Sequence, residues 1–231
     1  MNVGVRGDDT DVRGVLDAVD AAVAPEDDDA LDAVLAVGEA GLRSIATDPP
    51  EVPVLPVIDG GGRHVVDRSA LCDSLAAVDA GEGHIDTHPV LRVRRDGTIV
   101  GRLLRDVVLV TATPASISEY AVAGDGTATS VRADGIVVAT PIGSDGYAAA
   151  AGGPVLDATT GVVVVPVAPF STGADTTVVD PDTGLALSVV RDGEIALFLD
   201  GVRHGSVGVG ADLRIERVDS VALVSTRTEN F

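Results

Sequence analysis

Residues 134–154, which read DGIVVATPIGSDGYAAAAGGP, combine residue types that can hold a polar or anionic ligand. The apolar run at 136–139 predicts a strand that ends at Thr140-Pro141, and a Gly143-Ser144 turn leads into an alanine-rich helix predicted over 144–151. Unpaired N–H groups at a helix start attract anions, and small residues let a flat ligand approach the backbone. A tight strand–helix connection without a ligand would show the same pattern, so this pattern alone leaves both interpretations open.

The first third of the chain alternates predicted strands with predicted helices. Apolar runs predict strands at 3–6, 33–37 and 52–57, and helical spacing of apolar residues predicts helices at 11–23, 39–46 and 69–80. Strands that alternate with helices favour a parallel sheet. We therefore predict a small α/β domain over residues 1–82.

After Gly83 the pattern changes to short β runs with almost no helix. The clearest pair is a hairpin, 91–95 and 98–103, around an Asp96-Gly97 turn. Further strands are predicted at 107–111, 118–122, 128–132, 136–139, 162–167, 185–190, 195–199 and 213–218. The tetrapeptide GDGT at 124–127 lies between two of these runs and is interpreted as a hairpin turn. These patterns predict a β-rich domain over residues 83–231.

The composition is acidic and contains no lysine. The 231 residues include 36 acidic and 16 basic ones, the basic ones all arginine, for a formal net charge of −20. Acidic surfaces hold water, and molar salt shortens the Debye length to about 3 Å, so that like charges stop repelling. The composition is therefore typical of a protein adapted to molar salt.

Several functional classes are disfavoured by the same composition. No basic stripe exists that could displace counterions from a nucleic acid. No apolar run is long enough to cross a bilayer, and no signal peptide is predicted. Cys72 is the only cysteine and the four histidines are widely spaced, so no disulfide framework or metal-ligand spacing is present. We expect a cytoplasmic protein that binds neither nucleic acid nor membrane.

The 134–154 stretch resembles the signature of the NAD kinase (ATP-NAD kinase) family, which is close to DGxxxxTPTGSTAYxxxAGGP. Further similarities are the strand at 106–108, the strand at 163–171 and the turn at Asp200-Gly201, which resembles a late Asp-Gly-Gln turn of the family. The resemblance implies an NAD kinase-like fold, with a small α/β domain followed by a β-sandwich domain. It also implies NAD between the two, ATP with Mg²⁺ phosphorylating the 2′-hydroxyl of its adenosine ribose, and a homo-oligomer.

The resemblance implies a dinucleotide site, but several of its polar residues are replaced. The implied contacts are Asp106, Asp134, Thr140, Gly143, Ser144, Asp145, Gly146 and Tyr147. Asp145 and Gly146 differ from the family's Thr and Ala, and Arg105 replaces the Asn of its Asn-Glu pair. Tyr147 would border an adenine or be a half-buried core tyrosine. Asp134 would accept hydrogen bonds from nicotinamide or ribose, or would only begin an Asp-Gly turn.

The catalytic loop departs most from the family. Where the family has Gly-Gly-Asp-Gly-Thr after an apolar strand, this chain has Gly38, Glu39, Ala40 and Gly41 before a leucine. Ala40 stands at the position of the Asp and cannot accept a proton or bind Mg²⁺, while Glu39 would repel phosphate. We therefore expect a dinucleotide-binding member with impaired or lost catalysis. The alternatives are an active NAD kinase that uses another carboxylate, such as Glu39 or Asp106, and a structural paralogue that binds no nucleotide.

We expect the protein to need molar KCl to stay folded. With a net charge of −20, self-repulsion should loosen the chain when it is not screened. Circular dichroism should show a melting temperature that rises between about 0.1 M and several molar KCl, the range over which screening changes most. A melting temperature that stays constant over this range would contradict the prediction.

Overall fold

The computed structural model describes residues 1–7, 10, 12–26, 28–113, 116–124, 126–171, 175–191 and 193–226. The chain forms two compact units: Met1–His88 with the stretch from Ser220 onward, and Pro89–Asp219. The C-terminal stretch belongs to the first unit because Leu223 pairs in parallel with Val54 and Val224 joins the first core. The prediction of domains at 1–82 and 83–231 did not include this return of the chain. None of the described helices is long and apolar enough to span a membrane.

The first unit is a parallel sheet with helices on it. Its elements are β1 (Asn2–Gly7), α1 (Val12–Ala18), β2 (Ala22–Val23), β3 (Ala33–Val37), α2 (Gly38–Thr47), β4 (Val54–Ile58), β5 (Val66–Asp67) and α3 (Leu71–Asp79), with a 3₁₀ turn at Arg68–Ala70 before α3. The strand order is β2-β1-β3-β4-β5, and every pairing is parallel. The predicted parallel α/β arrangement is therefore confirmed.

The burial of β3 explains why its sequence is a continuous apolar run. All five of its residues are buried, as expected for a parallel strand that is covered on both faces. Leu35 and Val37 belong to a core that also contains Leu16 of α1 and Leu75 of α3. Helix α2 buries its own apolar face and contacts β1, β3 and β4.

One predicted helix is wrong in its second half. The helix predicted over 11–23 ends at Ala18, and β2 occupies Ala22–Val23 (Asp11 lies outside the described residues). Asp20 adopts a positive φ of 55°, which no continuing helix allows, and this turns the chain towards the sheet. The prediction extended the helix too far because Val19 and Val23 also follow helical spacing.

The second unit consists almost entirely of antiparallel strands. They are β6 (His84–Arg95, in this unit from Pro89), β7 (Thr98–Leu103), β8 (Asp106–Thr111), β9 (Ser118–Gly124), β10 (Thr127–Ala133), β11 (Gly135–Ala139), β12 (Val162–Val167), β13 (Thr177–Val179), β14 (Leu185–Arg191), β15 (Ile195–Leu199), β16 (Val202–Val207) and β17 (Asp212–Ser225, in this unit to Asp219). One sheet has the order β13-β12-β11-β8-β15-β16, and the other contains the run β10-β9-β14-β17 with the β6–β7 hairpin. The sequence did not predict β5, β13 and β16, all of them short or exposed.

A shared core makes this unit a β-sandwich, as predicted. Buried side chains from both sheets form one cluster, with Leu109 and Val138 from one sheet and Tyr120, Leu187 and Leu213 from the other. The Asp96-Gly97 hairpin is also confirmed, because both residues have the positive φ of a type I′ turn, 51° and 80°. For the tetrapeptide GDGT, the pairing of its first and last residues confirms a hairpin, although Asp125 lies outside the described residues.

A buried histidine pair in the first unit should make stability depend on pH. His88 is 1 % exposed, its Nδ1 has no hydrogen-bond partner, and its ring lies 4.7 Å from that of His64, edge to face. Burial, and to a smaller degree the neighbouring His64, lowers the pKa of His88 to about 3. The folded protein therefore keeps His88 neutral at a pH at which the unfolded chain protonates it.

We expect this histidine to destabilise the fold progressively as the pH falls from about 6.5, its ordinary pKa, towards 3. The unfolded state binds more protons than the folded state over that window, so the loss should reach about 2 kcal/mol at pH 5. Denaturant unfolding at several pH values should show this slope in the wild type and lose it in His88→Leu. His84→Leu is the matched control, since that side chain is 74 % exposed, and it should keep the slope. An equal slope in all three proteins would contradict the assignment.

Candidate functional site

Packing and backbone angles constrain the Gly38–Gly41 loop, which stands where the resemblance places the catalytic sequence. Gly38 adopts a φ of +69° where β3 turns into α2. A Cβ on Gly41 would lie 2.6 Å from the carbonyl oxygen of Arg6 and 2.9 Å from the carbonyl carbon of Ala36, closer than atoms can pack. The first and last glycine of the loop are therefore required by the fold itself.

Gly7 completes this close contact, and the sequence analysis did not single it out. It has a φ of +102°, and a Cβ there would lie 2.0 Å from the carbonyl oxygen of Val37. The end of β1 thus lies directly against the β3–α2 turn. The available signal was a glycine at the end of a predicted strand.

Glu39 and Ala40 lie between the two required glycines and are exposed at the carboxyl end of β3. That end of a parallel strand is where α/β folds place ligand-binding residues. The two changed residues therefore occupy exposed positions, at which packing does not require a glycine. Ala40 presents only a methyl group there.

The described residues contain no ready-made cluster of metal-ligating side chains. Within the described ranges, no three or more His, Cys, Asp or Glu side chains come together in a way that could hold a metal ion. Ala40 supplies no oxygen at the position where the family has its carboxylate. We therefore assign no step to a metal held by this chain alone.

In the second unit, Asp200 organises the backbone next to the candidate dinucleotide contacts. Its carboxylate is buried, with the residue 5 % exposed, and accepts hydrogen bonds from the N–H groups of Leu104 at 3.0 Å, Arg105 at 2.8 Å and Asp106 at 3.1 Å. Burial raises the pKa of Asp200, while the three backbone hydrogen bonds and the Arg105 charge oppose that rise. The sequence marked this residue only as part of an Asp-Gly turn.

We call residues 140–147 the 140–147 loop. Thr140 attaches this loop to the segment of Leu104, Arg105 and Asp106. Its hydroxyl donates to the carbonyl oxygens of Leu104 and of Arg105, the latter at 3.1 Å, and its N–H donates to Arg105 at 2.9 Å. A Cβ on Gly143 would lie 2.3 Å from the carbonyl oxygen of Arg105. The neighbouring backbone therefore requires a glycine at this position, and approach of a ligand to Gly143 stays a prediction.

The helix predicted over 144–151 is irregular. A 3₁₀ turn at Pro141–Gly143 is followed by a π-helical turn at Ser144–Ala148, in which Gly146 departs from helical angles with φ −90° and ψ −123°. The Ser144 hydroxyl donates to the carbonyl of Pro141 and accepts from the N–H of Leu156. The prediction of a regular helix over 144–151 is therefore wrong, while binding of an anion at this turn stays a prediction. The hydroxyls of Thr140 and Ser144 and the break at Gly146 hold a compact turn in place of a regular helix.

Apolar packing holds the residues that follow the 140–147 loop against the outer face of the β8–β11–β12 sheet. Ala148 and Leu156 pack with Val137, Val163 and Val165 on the face opposite the sandwich core. This explains why β11 is buried along its whole length and why the residues after the turn are small. The alanine-rich composition is thus a packing feature of the second unit.

Seven of the eight candidate contacts come together, and one does not. Asp106 begins β8 and pairs with Ala139, the residue before Thr140, so it lies beside the 140–147 loop. Asp134 precedes the opposite end of β11, six residues from Thr140, which is about 20 Å along a strand. Its N–H donates to Val167 and its C=O accepts from Thr111, which continues the pairing of β11 with both neighbouring strands. Gly135 is already a strand residue, so the alternative of an Asp-Gly turn at this position is wrong.

The exposed part of the loop carries the substituted residues. Tyr147 is 41 % exposed, so it is a surface residue rather than a core tyrosine, and Asp145 and Gly146 are half-buried. A Cβ on Gly146 would lie 3.2 Å from Nη2 of Arg105, so the guanidinium rests against this glycine. The two replacements, Asn by Arg105 and Ala by Gly146, are therefore neighbours in space.

We expect Gly143→Ala to destabilise the second unit, by about 1–3 kcal/mol or more, because the added methyl must displace the Arg105 backbone. The matched control is Gly208→Ala in the same unit, where a Cβ meets nothing within 4 Å and φ is not positive. That variant should stay within about 0.5 kcal/mol of the wild type. Urea unfolding in molar KCl measures both, and equal stabilities would show that the contact is relaxed in solution.

Comparison with known proteins agrees with this geometry. Residues 104–224 match the family of the ATP-NAD kinase C-terminal domain. The NAD kinase of Pyrococcus furiosus is 35 % identical over 187 residues, which cover 78 % of this chain and 67 % of that protein. The NAD kinase of Thermococcus kodakarensis is 34 % identical over 204 residues, covering 84 % and 73 %.

Solved structures share the fold. Yeast NADH kinase complexed with NADH superposes with a TM-score of 0.75 at 15 % identity, covering 100 % of this chain and 84 % of that chain. An NAD kinase from Archaeoglobus fulgidus in complex with ATP superposes with a TM-score of 0.68 at 24 % identity, covering 99 % and 94 %. Together with the sequence matches, which extend over more than half of its length, these findings show that the chain belongs to the NAD kinase family.

Proposed function

We propose that this protein is a dinucleotide-binding member of the NAD kinase family in which catalysis is impaired or lost. The observation that carries the proposal is Ala40, exposed between two glycines that the fold requires. The family resemblance places an aspartate at this position. Phosphoryl transfer depends on positioning and charge stabilisation, and an alanine supplies neither a proton acceptor nor a charge.

Retention of binding is supported by the second unit. Thr140, Gly143 and Ser144 match the family signature and hold the 140–147 loop in one defined shape. Tyr147 is presented to solvent from that loop, where an aromatic ring can border a base. The relatives crystallised with NADH and with ATP make a dinucleotide and ATP the first ligands to test.

Two other functions are open to experiment. An active kinase would need a substitute carboxylate, and exposed Glu39 beside Ala40 is better placed for this than Asp106, which is only 8 % exposed. If the protein is a structural paralogue, it binds no nucleotide, and the replacements at Asp145 and Gly146 have no functional effect. Cytoplasmic location and a homo-oligomeric state stay predictions.

We expect the purified protein to form little or no NADP from NAD, ATP and Mg²⁺ in high KCl. Loss of a general base typically costs 10²–10⁴-fold in rate, and repulsion of phosphate by Glu39 would add to this. The double variant Glu39→Gly, Ala40→Asp restores the family's residues at both open positions and should gain measurable activity. NADP is measured with glucose-6-phosphate dehydrogenase after dilution of the salt.

Glu39→Gly alone is the control, because it removes the repulsion without adding a carboxylate and should stay inactive. Turnover by the unmodified chain near the ordinary enzyme median of about 10 s⁻¹ would contradict the proposal. Isothermal titration calorimetry with NAD tests dinucleotide binding separately from catalysis. Absence of binding in molar KCl would favour the structural paralogue.

A further inference from the structure

Two peptide planes in the second unit are held at both edges by side chains that are distant in the sequence. The N–H of Arg105 and the C=O of Leu104 belong to one peptide plane, and the N–H of Asp106 and the C=O of Arg105 belong to the next. Both N–H groups donate to Oδ1 of Asp200, at 2.8 and 3.1 Å. Both carbonyls accept the hydroxyl of Thr140. Asp200 and Thr140 therefore fix the same two planes from opposite sides.

We propose that Asp200 is the positioning residue of the candidate dinucleotide site, setting the 140–147 loop through these two peptide planes without touching the ligand itself. The inference deepens the proposed function and rests on it for the ligand. Movement of the planes would move Thr140, whose N–H and hydroxyl both bond to them. It would also move Gly143, which packs on the Arg105 backbone with no room for a Cβ. The exposed residues Asp145–Tyr147 follow directly from that point.

The cost of burying Asp200 indicates that it does more than close a turn. A buried carboxylate loses hydration, and it remains favourable only when several donors replace the water. The chain contains a second Asp-Gly turn of the same backbone shape, with φ 51° at Asp96 against 46° at Asp200. Asp96 is exposed and accepts a single N–H, from Asp212 at 3.0 Å. The turn itself therefore does not need a buried carboxylate with three donors.

Asp200→Asn tests the inference with little change of shape. Asparagine also tolerates a positive φ, and its one carbonyl oxygen can still accept two N–H groups. Its amide would then face the N–H of Leu104, which loses its acceptor. We expect unchanged circular dichroism, amide exchange of Leu104 and Thr140 faster by about tenfold or more, and NAD affinity weaker by about tenfold, as for the loss of one charge-assisted hydrogen bond. Asp96→Asn, the matched control, should leave both measurements unchanged.

Thr140→Val tests the same planes from the other side and stays informative even if Asp200→Asn does not fold. It should accelerate exchange of the Arg105 and Asp106 amides, although these donate to Asp200 and not to Thr140. In titrations with NAD, the double variant should lose less affinity than the product of the two single losses, because both act on one unit. A merely structural role elsewhere in the unit would give independent losses.

The outcomes separate this inference from the proposed function. If the wild type binds neither NAD nor ATP, the proposed function fails, and the exchange of the Thr140 amide in Asp200→Asn still decides whether Asp200 holds the loop. Unchanged protection of Thr140 in that variant would overturn the inference. So would wild-type NAD affinity after the protection of Leu104 and Thr140 has been lost, or fully independent losses in the double variant.

Discussion

The second unit depends on one buried carboxylate and the backbone that it holds. Asp200 supplies the acceptors for three consecutive N–H groups, and these N–H groups lie where β8 begins and where the 140–147 loop returns to the sheet. Backbone hydrogen-bonding groups away from water must be satisfied, and this segment has no strand partner for its N–H groups at that point. The carboxylate accepts the hydrogen bonds that a neighbouring strand accepts elsewhere in the sheet. Leu104, Arg105 and Asp106 consequently form the rigid base on which the loop lies.

In each unit, glycines allow two segments of the chain to pack closely against each other. In the first unit, Gly7 and Gly41 let two strand ends meet. In the second, Gly143 lets a turn rest on the Arg105 backbone, and Gly153 fits against Val165. Any side chain at these positions would collide with backbone or core atoms, and three of them, Gly41, Gly143 and Gly153, match the family's motifs. The changed residues Glu39 and Ala40, in contrast, lie at exposed positions where packing does not require a glycine.

The acidic composition imposes a second constraint on the molecule. Its charge of −20 must be carried by the surface, because the cores are made of Val, Leu, Ile and Ala. Several of the few arginines form specific contacts with carboxylates or backbone carbonyls. Arg6 bonds to Glu26 and to the carbonyl of Asp48, and Arg92 and Arg94 share Glu216. Such ion pairs near the surface contribute little each, so the fold depends mainly on burial of small aliphatic residues.

Much of this protein could be predicted from the sequence alone, because periodicity and turn chemistry are local. The alternation of strands and helices predicted the parallel sheet of the first unit, and the Asp96-Gly97 turn predicted the hairpin, although not the register shift next to Val93. The short signature over 134–154 identified the family and six of the seven candidate residues that lie close together. The tertiary structure decided the rest, because the deciding contacts join residues far apart in the chain. Asp200 bonds to amides about 95 positions away, Gly143 is required by the backbone of Arg105, and Asp134 is separated from Thr140 by the length of β11. No local pattern contains these distances, and only the folded backbone shows which residues of the signature hold the loop.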